Sequence, residues 1–334
     1  MTNNLEDFKY CVAIRTLGLA GNKFQQELNS LINQTIPPQK IIVYIAEGYE
    51  IPRETIGIEE YIHVPKGMIA QRALPYNEVN TEFVLFLDDD ILLESNAVEK
   101  LYKSLVEHNG DCIAADIFKN QDLPLIHKIR AFASNMAYPR KDDNWAFKIQ
   151  RNASFSYNNQ PSKVVYKSQS AAGGASLWKI NVFRSINFHD ELWLDKMGFA
   201  YGDDLLMFYK LYINGYKLLI HYDSGITHLD AQSSRINYNQ DKTKLCKRAQ
   251  IWVLLWFRIC YTPCNTFSSK IITTLSFFCK WLWGVFIHLL YSLYLIDYHP
   301  IIYHFKGTII GLKMINTPTF KNMPNFLVNN KISQ

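Results

Sequence analysis

Phe83-Val84-Leu85-Phe86-Leu87-Asp88-Asp89-Asp90 is the stretch that decides how this chain is read. Five apolar residues without a polar interruption predict a strand buried on both faces of a parallel sheet. Three carboxylates follow at once, at the carboxyl end of that strand, and open α/β sheets bind their ligands at that edge. Asp88 and Asp90, spaced as D-x-D, carry the hard oxygen chemistry of a divalent cation site, and the cation would in turn hold a diphosphate. The plainer alternative is an acidic turn capping the next helix. Three consecutive acids repel one another, however, unless a cation or solvent relieves them.

The flanking sequence supplies the rest of a layered α/β fold. Upstream, CVAI after Tyr10 predicts a short buried strand, Ala20-Gly21-Asn22 a turn, and Phe24, Leu28, Leu31 and Ile32 one face of a helix. Pro37-Pro38 closes that unit; Ile41 to Ala46 and Tyr61 to Val64 predict two more strands, followed by a helix with Pro75 in its course. Downstream of the acids, Val98, Leu101, Tyr102 and Leu105 share a helix face. The stretch from Phe118 to Ser162 has poor periodicity and is predicted to lie over the sheet as irregular structure and a candidate substrate lid. A strand near Lys163 to Tyr166, a helix near Ser176 to Ile186, a helix from Asp203 to Asn214 and a strand around Lys217 to Tyr222 complete the alternation.

A second acidic feature, Gly202-Asp203-Asp204, opens the helix LLMFYKLYINGY. One Asp at a helix start is commonly an N-cap. Two adjacent acids at an element boundary allow one to cap while the other acts as a general base. His228 could complete an Asp/His cation shell, although a lone His is more often structural.

Charge divides the chain. Residues 1–240 hold 24 Lys and Arg against 28 Asp and Glu, and residues 241–334 hold 11 against 2. A basic tail of this kind meets an anionic surface, and its aromatic, apolar company favours a membrane over a nucleic acid. Ile251 to Tyr261 and Ile271 to Ile296 are the apolar stretches; the second is long enough to span a bilayer. Lys280 and His288 within it, and aromatics spread along its length, favour helices lying in the plane of the membrane, with a single span as the alternative. The expected division is therefore a catalytic domain over residues 1–240, folding independently, and a membrane-associating helical region over 241–334. Six scattered cysteines without a C-x-x-C pair indicate neither a zinc site nor a disulfide framework. With an acidic, polar N-terminus that lacks a secretory pattern, this predicts the cytoplasmic side.

The ordered features together resemble the family 2 glycosyltransferases of GT-A fold, over about Tyr10 to Ala231. Ser30-Leu31 with Gln34 is similar to that family's S-L-x-x-Q, Gly67 to Arg72 (GMIAQR) to its segment ending A-R-N, and Ala171-Ala172-Gly173-Gly174 followed by NVFRSINFHDEL to its acceptor-side region. Asp203-Asp204 occupies the place of the E-D pair, with Gly215 at the matching distance. The chain departs from the pattern where Leu17-Gly18 follows Thr16, where Ala73 stands for an Asn, and where Ala46-Glu47-Gly48 replaces an acidic D-D-G-S. In that family these positions lie in the nucleotide pocket, so the resemblance leaves the base and sugar of the donor open.

The resemblance implies a mostly parallel, Rossmann-like sheet with flanking helices, plus C-terminal hydrophobic helices. It implies that Asp88 and Asp90, with His228 as a further ligand, hold Mg2+ or Mn2+ against the diphosphate of a nucleotide sugar. Thr16, Glu47, Arg72 and Asp89 would lie on the nucleotide side, and Gly173, Gly174 and Asp203 on the substrate side. Asp204 would take the proton of an attacking hydroxyl on a glycan or polyprenyl-linked acceptor, with inversion, in cell-surface polysaccharide synthesis. Two rival readings are a HAD-like phosphatase with Asp88 as nucleophile and a non-catalytic membrane-bound sugar-binding protein. Against the first, two or three β-α units precede the D-x-D strand here.

Overall fold

The computed structural model describes residues 5–117, 144–198, 201–229 and 242–327. The strands are β1 (Tyr10–Thr16), β2 (Lys40–Ala46), β3 (Glu59–Val64), β4 (Phe83–Asp88), β5 (Ile91–Leu93), β6 (Cys112–Ala115), β7 (Phe147–Ile149), β8 (Phe155–Tyr157), β9 (Val165–Ser168), β10 (Ala175–Lys179), β11 (Leu218–His221) and β12 (Ile226–His228). Eight form one sheet in the order β3-β2-β1-β4-β10-β6-β11-β9. β1, β2, β3 and β4 run parallel, as do β6 and β11, while β10 and β9 are antiparallel to their neighbours. This is the mostly parallel α/β sheet that the sequence predicts.

Alternation along the strands feeds two cores. Val12, Ile14, Ile41, Val43, Leu85 and Leu87 point to one face, where α1 (Asn22–Ile32) contributes Phe24, Leu28 and Leu31 and α3 (Ala97–Glu107) contributes Val98, Leu101, Tyr102 and Leu105. Ala13, Ile42, Tyr44, Phe86 and Trp178 point to the other face, against α4 (Ile180–Ser185) and α5 (Asp203–Ile213). Ile32, predicted to be in the apolar stripe, is exposed, and Glu27 is buried in its place.

Three other expectations change. The helix expected around Pro75 is the single turn and a half α2 (Met68–Arg72), which stops before the proline; proline disfavours the helical region for the residue before it. Ser176 to Ile186 is a strand running into a short helix, β10 then α4. Ser176 and Trp178 face one side of the sheet and Leu177 the other, all fully buried, so hydrophobicity there has no period that separates strand from helix. Within the irregular stretch, β7 and β8 pair as an antiparallel hairpin; the remainder of the expected lid, 118–143, lies outside the described residues.

The charge boundary near residue 240 does not coincide with a break in packing. Ile251, Val253, Leu254, Leu255, Trp256 and Ile259 are buried in the same apolar cluster as Trp178, Leu206 and Phe208. These residues belong to α6 (Lys242–Leu255) and the π-helical segment Trp256–Tyr261. Trp252 also donates from its indole nitrogen to the Asn152 carbonyl at 2.9 Å. Ile251–Tyr261, expected at a membrane, is thus core of the α/β domain. Beyond it, α7 (Phe267–Leu295) is long and apolar enough to cross a membrane and largely exposed, and α8 (His299–Met314) folds back along it.

Candidate active site

Because β1, β2 and β4 are parallel and in register, with Arg15 opposite Asp88 and Thr16 opposite Ile45, their carboxyl ends share one edge of the sheet. Asp88, Asp89 and Asp90 emerge there, as the sequence predicts. The three carboxylates do not converge on one point. Asp88 Oδ1 accepts from Arg15 Nη2 at 3.0 Å, Asp89 Oδ2 accepts from the Thr16 hydroxyl, and Asp90 Oδ1 lies 3.1 Å from His228 Nε2. The last pair is assembled by a small second sheet, in which β12 runs antiparallel to β5 with His228 opposite Ile91, and by the Leu229 N–H donating to the Asp90 carbonyl at 2.8 Å. Burial pushes the Asp89 carboxyl up to about 6, with Asp90 and Asp88 adding to the rise and the Thr16 hydroxyl opposing it.

Asp204 reaches the same edge from the first turn of α5. Its Oδ2 accepts from the Gly173 N–H at 2.9 Å and its Oδ1 lies 3.0 Å from Arg72 Nη1. Arg72 Nε pairs with Asp203 Oδ2 at 2.9 Å, and Arg72 Nη2 lies 3.7 Å from Asp88 Oδ1. One guanidinium therefore bridges the base candidate, its neighbour and the first acid of the triad. Burial alone would lower the Arg72 pKa, but the Asp204, Asp203 and Asp88 carboxylates outweigh it and hold the group charged. For Asp204 the balance runs the other way: burial, reinforced by Asp203 and Asp88, pushes its carboxyl up to about 7 against the pull of Arg72 and the Gly173 N–H. A carboxylate at that value is matched to general-base work at neutral pH.

Gly173 permits this approach. A Cβ there would stand 2.0 Å from Asp204 Oδ1 and 2.5 Å from Arg72 Nη1. At Gly174 the space is less restricted, with Ile91 Cδ1 at 3.3 Å and His228 Cδ2 at 3.6 Å from a Cβ; its carbonyl accepts from the Asp88 N–H at 3.0 Å. Glu47 is exposed in the turn after β2 on the same edge, and its N–H donates to the Val64 carbonyl at 2.8 Å.

Four residues of the site were not singled out from the sequence. Arg15, inside an otherwise apolar strand, spans from Asp88 to the Gly173 carbonyl at 3.1 Å; a buried charge at a strand end was the available signal. Asp195 accepts from the Ile69 and Ala70 N–H groups, both at 2.8 Å, and so anchors the helix that carries Arg72. Gln71 donates to the Thr16 carbonyl at 3.2 Å. Glu27 lies beneath the triad and accepts from the Ile91 N–H at 3.4 Å; burial, with Asp89, Asp88 and Asp90 nearby, keeps its carboxyl well above the usual range.

The donor set suits a hard cation in part. Among the described residues no three His, Cys, Asp or Glu side chains form a ready metal cage. Asp90 and His228 present an oxygen and a nitrogen side by side, whereas Asp88 faces two guanidinium groups. A cation that keeps waters and takes substrate phosphates as ligands needs only one or two protein carboxylates.

The sheet, its flanking helices and the position of the acidic edge define an α/β fold of the GT-A type. Among solved structures the chain is similar to the crystal structure of GalNAc-T7 with UDP, GalNAc and Mn2+, at 12% identity and a TM-score of 0.51, over 82% of this chain and 55% of that one. The chain thus spans about half of that protein's length. At this identity the likeness concerns the fold. No family model matches the chain, and no curated protein matches it.

Proposed function

We propose that the chain is an inverting glycosyltransferase that moves a sugar from a nucleoside-diphosphate sugar to a hydroxyl of a glycan or polyprenyl-linked acceptor, in cell-surface polysaccharide synthesis. The observation that carries this reading is the placement of Asp204 across one guanidinium from Asp88, the acid that ends β4. Donor and base ends of a transfer site are thereby tied together.

In this reading the acceptor oxygen attacks the anomeric carbon on the face opposite the diphosphate, Asp204 takes the hydroxyl proton, and the nucleoside diphosphate departs with the bonding electrons. Asp203 holds Arg72 in place and faces the acceptor side. Arg15 and Arg72 supply fixed positive charge beside the departing diphosphate. Asp90 and His228 would hold Mg2+ or Mn2+, which when bound offsets charge on the leaving group, and Asp88 would join them on turning from Arg15 and Arg72. Thr16, Glu47 and Asp89 lie on the nucleotide side, and Gly173 and Gly174 allow close approach of substrate to backbone.

We also assign the protein to the cytoplasmic face of a membrane, held peripherally by α7 and α8. Phe277 of α7 stacks on Trp252 and packs at a tilt against Trp256 of the core, and Trp281 donates to Thr308 of α8 at 3.1 Å. A bilayer spanned by α7 would have to take α8 with it, including Lys306 and Lys313, so helices in the plane fit the packing better than a span. The enzymatic reading is tested by incubating the full-length protein with a panel of nucleotide sugars and scoring released nucleotide, then the anomeric configuration of the product by NMR. Release with any donor supports it; no turnover with any nucleotide sugar in the presence of Mg2+ or Mn2+ rejects it.

A further inference from the structure

The helix α8 has two unlike faces. His304, Gly307, Thr308 and Gly311, spaced as one helical stripe, are buried. The glycines let the backbone of α6 come close: a Cβ at Gly307 would stand 2.1 Å from the Cys246 carbonyl oxygen, and one at Gly311 2.8 Å from Val253 Cβ. Because α6 is core of the α/β domain, α8 is fixed rigidly to the catalytic unit.

Its opposite face carries Ile301, Ile302, Phe305, Ile309 and Ile310, which together with Lys306 and Lys313 line a shallow hollow of about 620 Å³. Ile302 and Ile309 are about half exposed, 49% and 50%. The two lysines are seven residues apart, hence on the same side and about 10 Å from one another along the axis. Leu282, Leu289 and Leu293 of the neighbouring α7 are exposed as well. Apolar side chains gathered on one exposed helix face, in place of scattered single ones, are a feature of interaction sites. The lysines in its lining argue for an anionic occupant: their alkyl stems lie along apolar surface while the ammonium groups seek anions.

We propose that this face of α8 is a docking site for anionic phospholipid, with acyl chains against the isoleucines and Phe305 and the lipid phosphates on Lys306 and Lys313. The proposal rests on the peripheral membrane reading above and deepens it by naming the surface and the lipid charge. Seated this way, α8 sets the orientation of the catalytic edge relative to the membrane, since its glycine stripe packs directly on α6.

The test is co-sedimentation of the full-length protein with vesicles of phosphatidylcholine alone or mixed with phosphatidylglycerol. The wild type is expected to bind the anionic vesicles more tightly. Lys306→Gln with Lys313→Gln should weaken that binding by about 30-fold, the worth of two basic residues near the surface, with Lys306→Arg and Lys313→Arg retaining it. Ile302→Asp with Ile309→Asp should lose binding to both vesicle types. Thermal unfolding of each variant at the wild-type temperature shows that these exposed changes leave the fold intact. Wild-type affinity in the double Gln variant for the anionic vesicles overturns the proposal while leaving the membrane reading standing. Absence of any wild-type vesicle binding overturns both. If the Asp variant instead turns a sedimenting dimer into a monomer, a second copy of the chain covers this face and the lipid assignment is wrong.

Discussion

Arg72 Nη1 lies 3.0 Å from Asp204 Oδ1, and the same guanidinium reaches Asp203 and Asp88. The family resemblance implies that this arginine lies on the nucleoside side of the pocket; in the structure it pairs with three carboxylates at the sheet edge. It therefore acts against burial in setting how readily Asp204 ionises. Arg72 favours the charged carboxylate, and burial disfavours it. If the ionised form is the working base, kcat/KM rises with pH through a value near 7 and levels off above it. Removing the positive charge in Arg72→Gln should move that limb to higher pH, by about one unit or more, and lower the rate at neutral pH. A pH profile of kcat/KM for both proteins checks this. A limb that stays in place in the variant would show that Arg72 does not act through Asp204.

Asp204→Asn keeps the shape of the side chain and removes its basicity. Turnover should fall by about 10²–10⁴, while donor affinity, measured by calorimetry, stays near wild type. Asp203→Asn should be milder, because Asp203 meets Arg72 and not the Gly173 N–H. Greater damage from the Asp203 change would move the base by one position. Gly173→Ala should be nearly inactive, since its methyl would occupy the space of the Asp204 carboxylate.

Much of this arrangement was legible because it follows from local pattern. An unbroken apolar run ending in acids locates β4 and its edge, and period-four stripes locate α1 and α3. What was hidden depends on partners distant in sequence. β10 is buried on both faces and has no period to read. Arg15 and Arg72 take their roles from carboxylates brought to them by the parallel register and by α5. Asp195 looks like a surface acid until the 3-10 segment Phe188–Met197 brings it to the N–H groups of α2. The basic tail was readable as a change of composition, but its first helix is held by contacts that composition does not report.

Asp90 and His228 should make activity depend on a divalent cation. Excess EDTA is expected to abolish turnover, and added Mg2+ or Mn2+ to restore it. Asp90→Asn should reduce turnover at least ~100-fold, since changes at groups that merely support a ligand already cost about 10–100-fold. Donor binding measured with and without metal would then become the same in the variant. Full wild-type activity in EDTA removes the cation from the mechanism.

The last prediction concerns the attachment of the C-terminal region. Glu191 is fully buried, and Arg258 pairs with both of its oxygens, Nη2 to Oε1 at 2.8 Å and Nε to Oε2 at 3.0 Å. Lys210 of α5, also fully buried, adds a contact at 3.1 Å. Burial raises the Glu191 pKa, but the two cations overcome it and hold the carboxyl below its ordinary range. The same arginine donates to the Pro324 carbonyl at 2.6 Å, so one side chain joins the 3-10 segment Phe188–Met197, the π-helical turn and the chain beyond α8. Removing one member of such a buried network costs about 3–5 kcal/mol, because the partner charge is left without compensation. Arg258→Ala is expected to lower stability by that amount in urea unfolding. By the same logic a chain ending at Gln240 loses both this pair and the apolar cover of Ile251 to Ile259, and it should aggregate or unfold. That outcome is opposite to the independent folding expected from the charge boundary. A soluble, cooperatively unfolding 1–240 fragment would show that α6 is an accessory to the core and not a part of it.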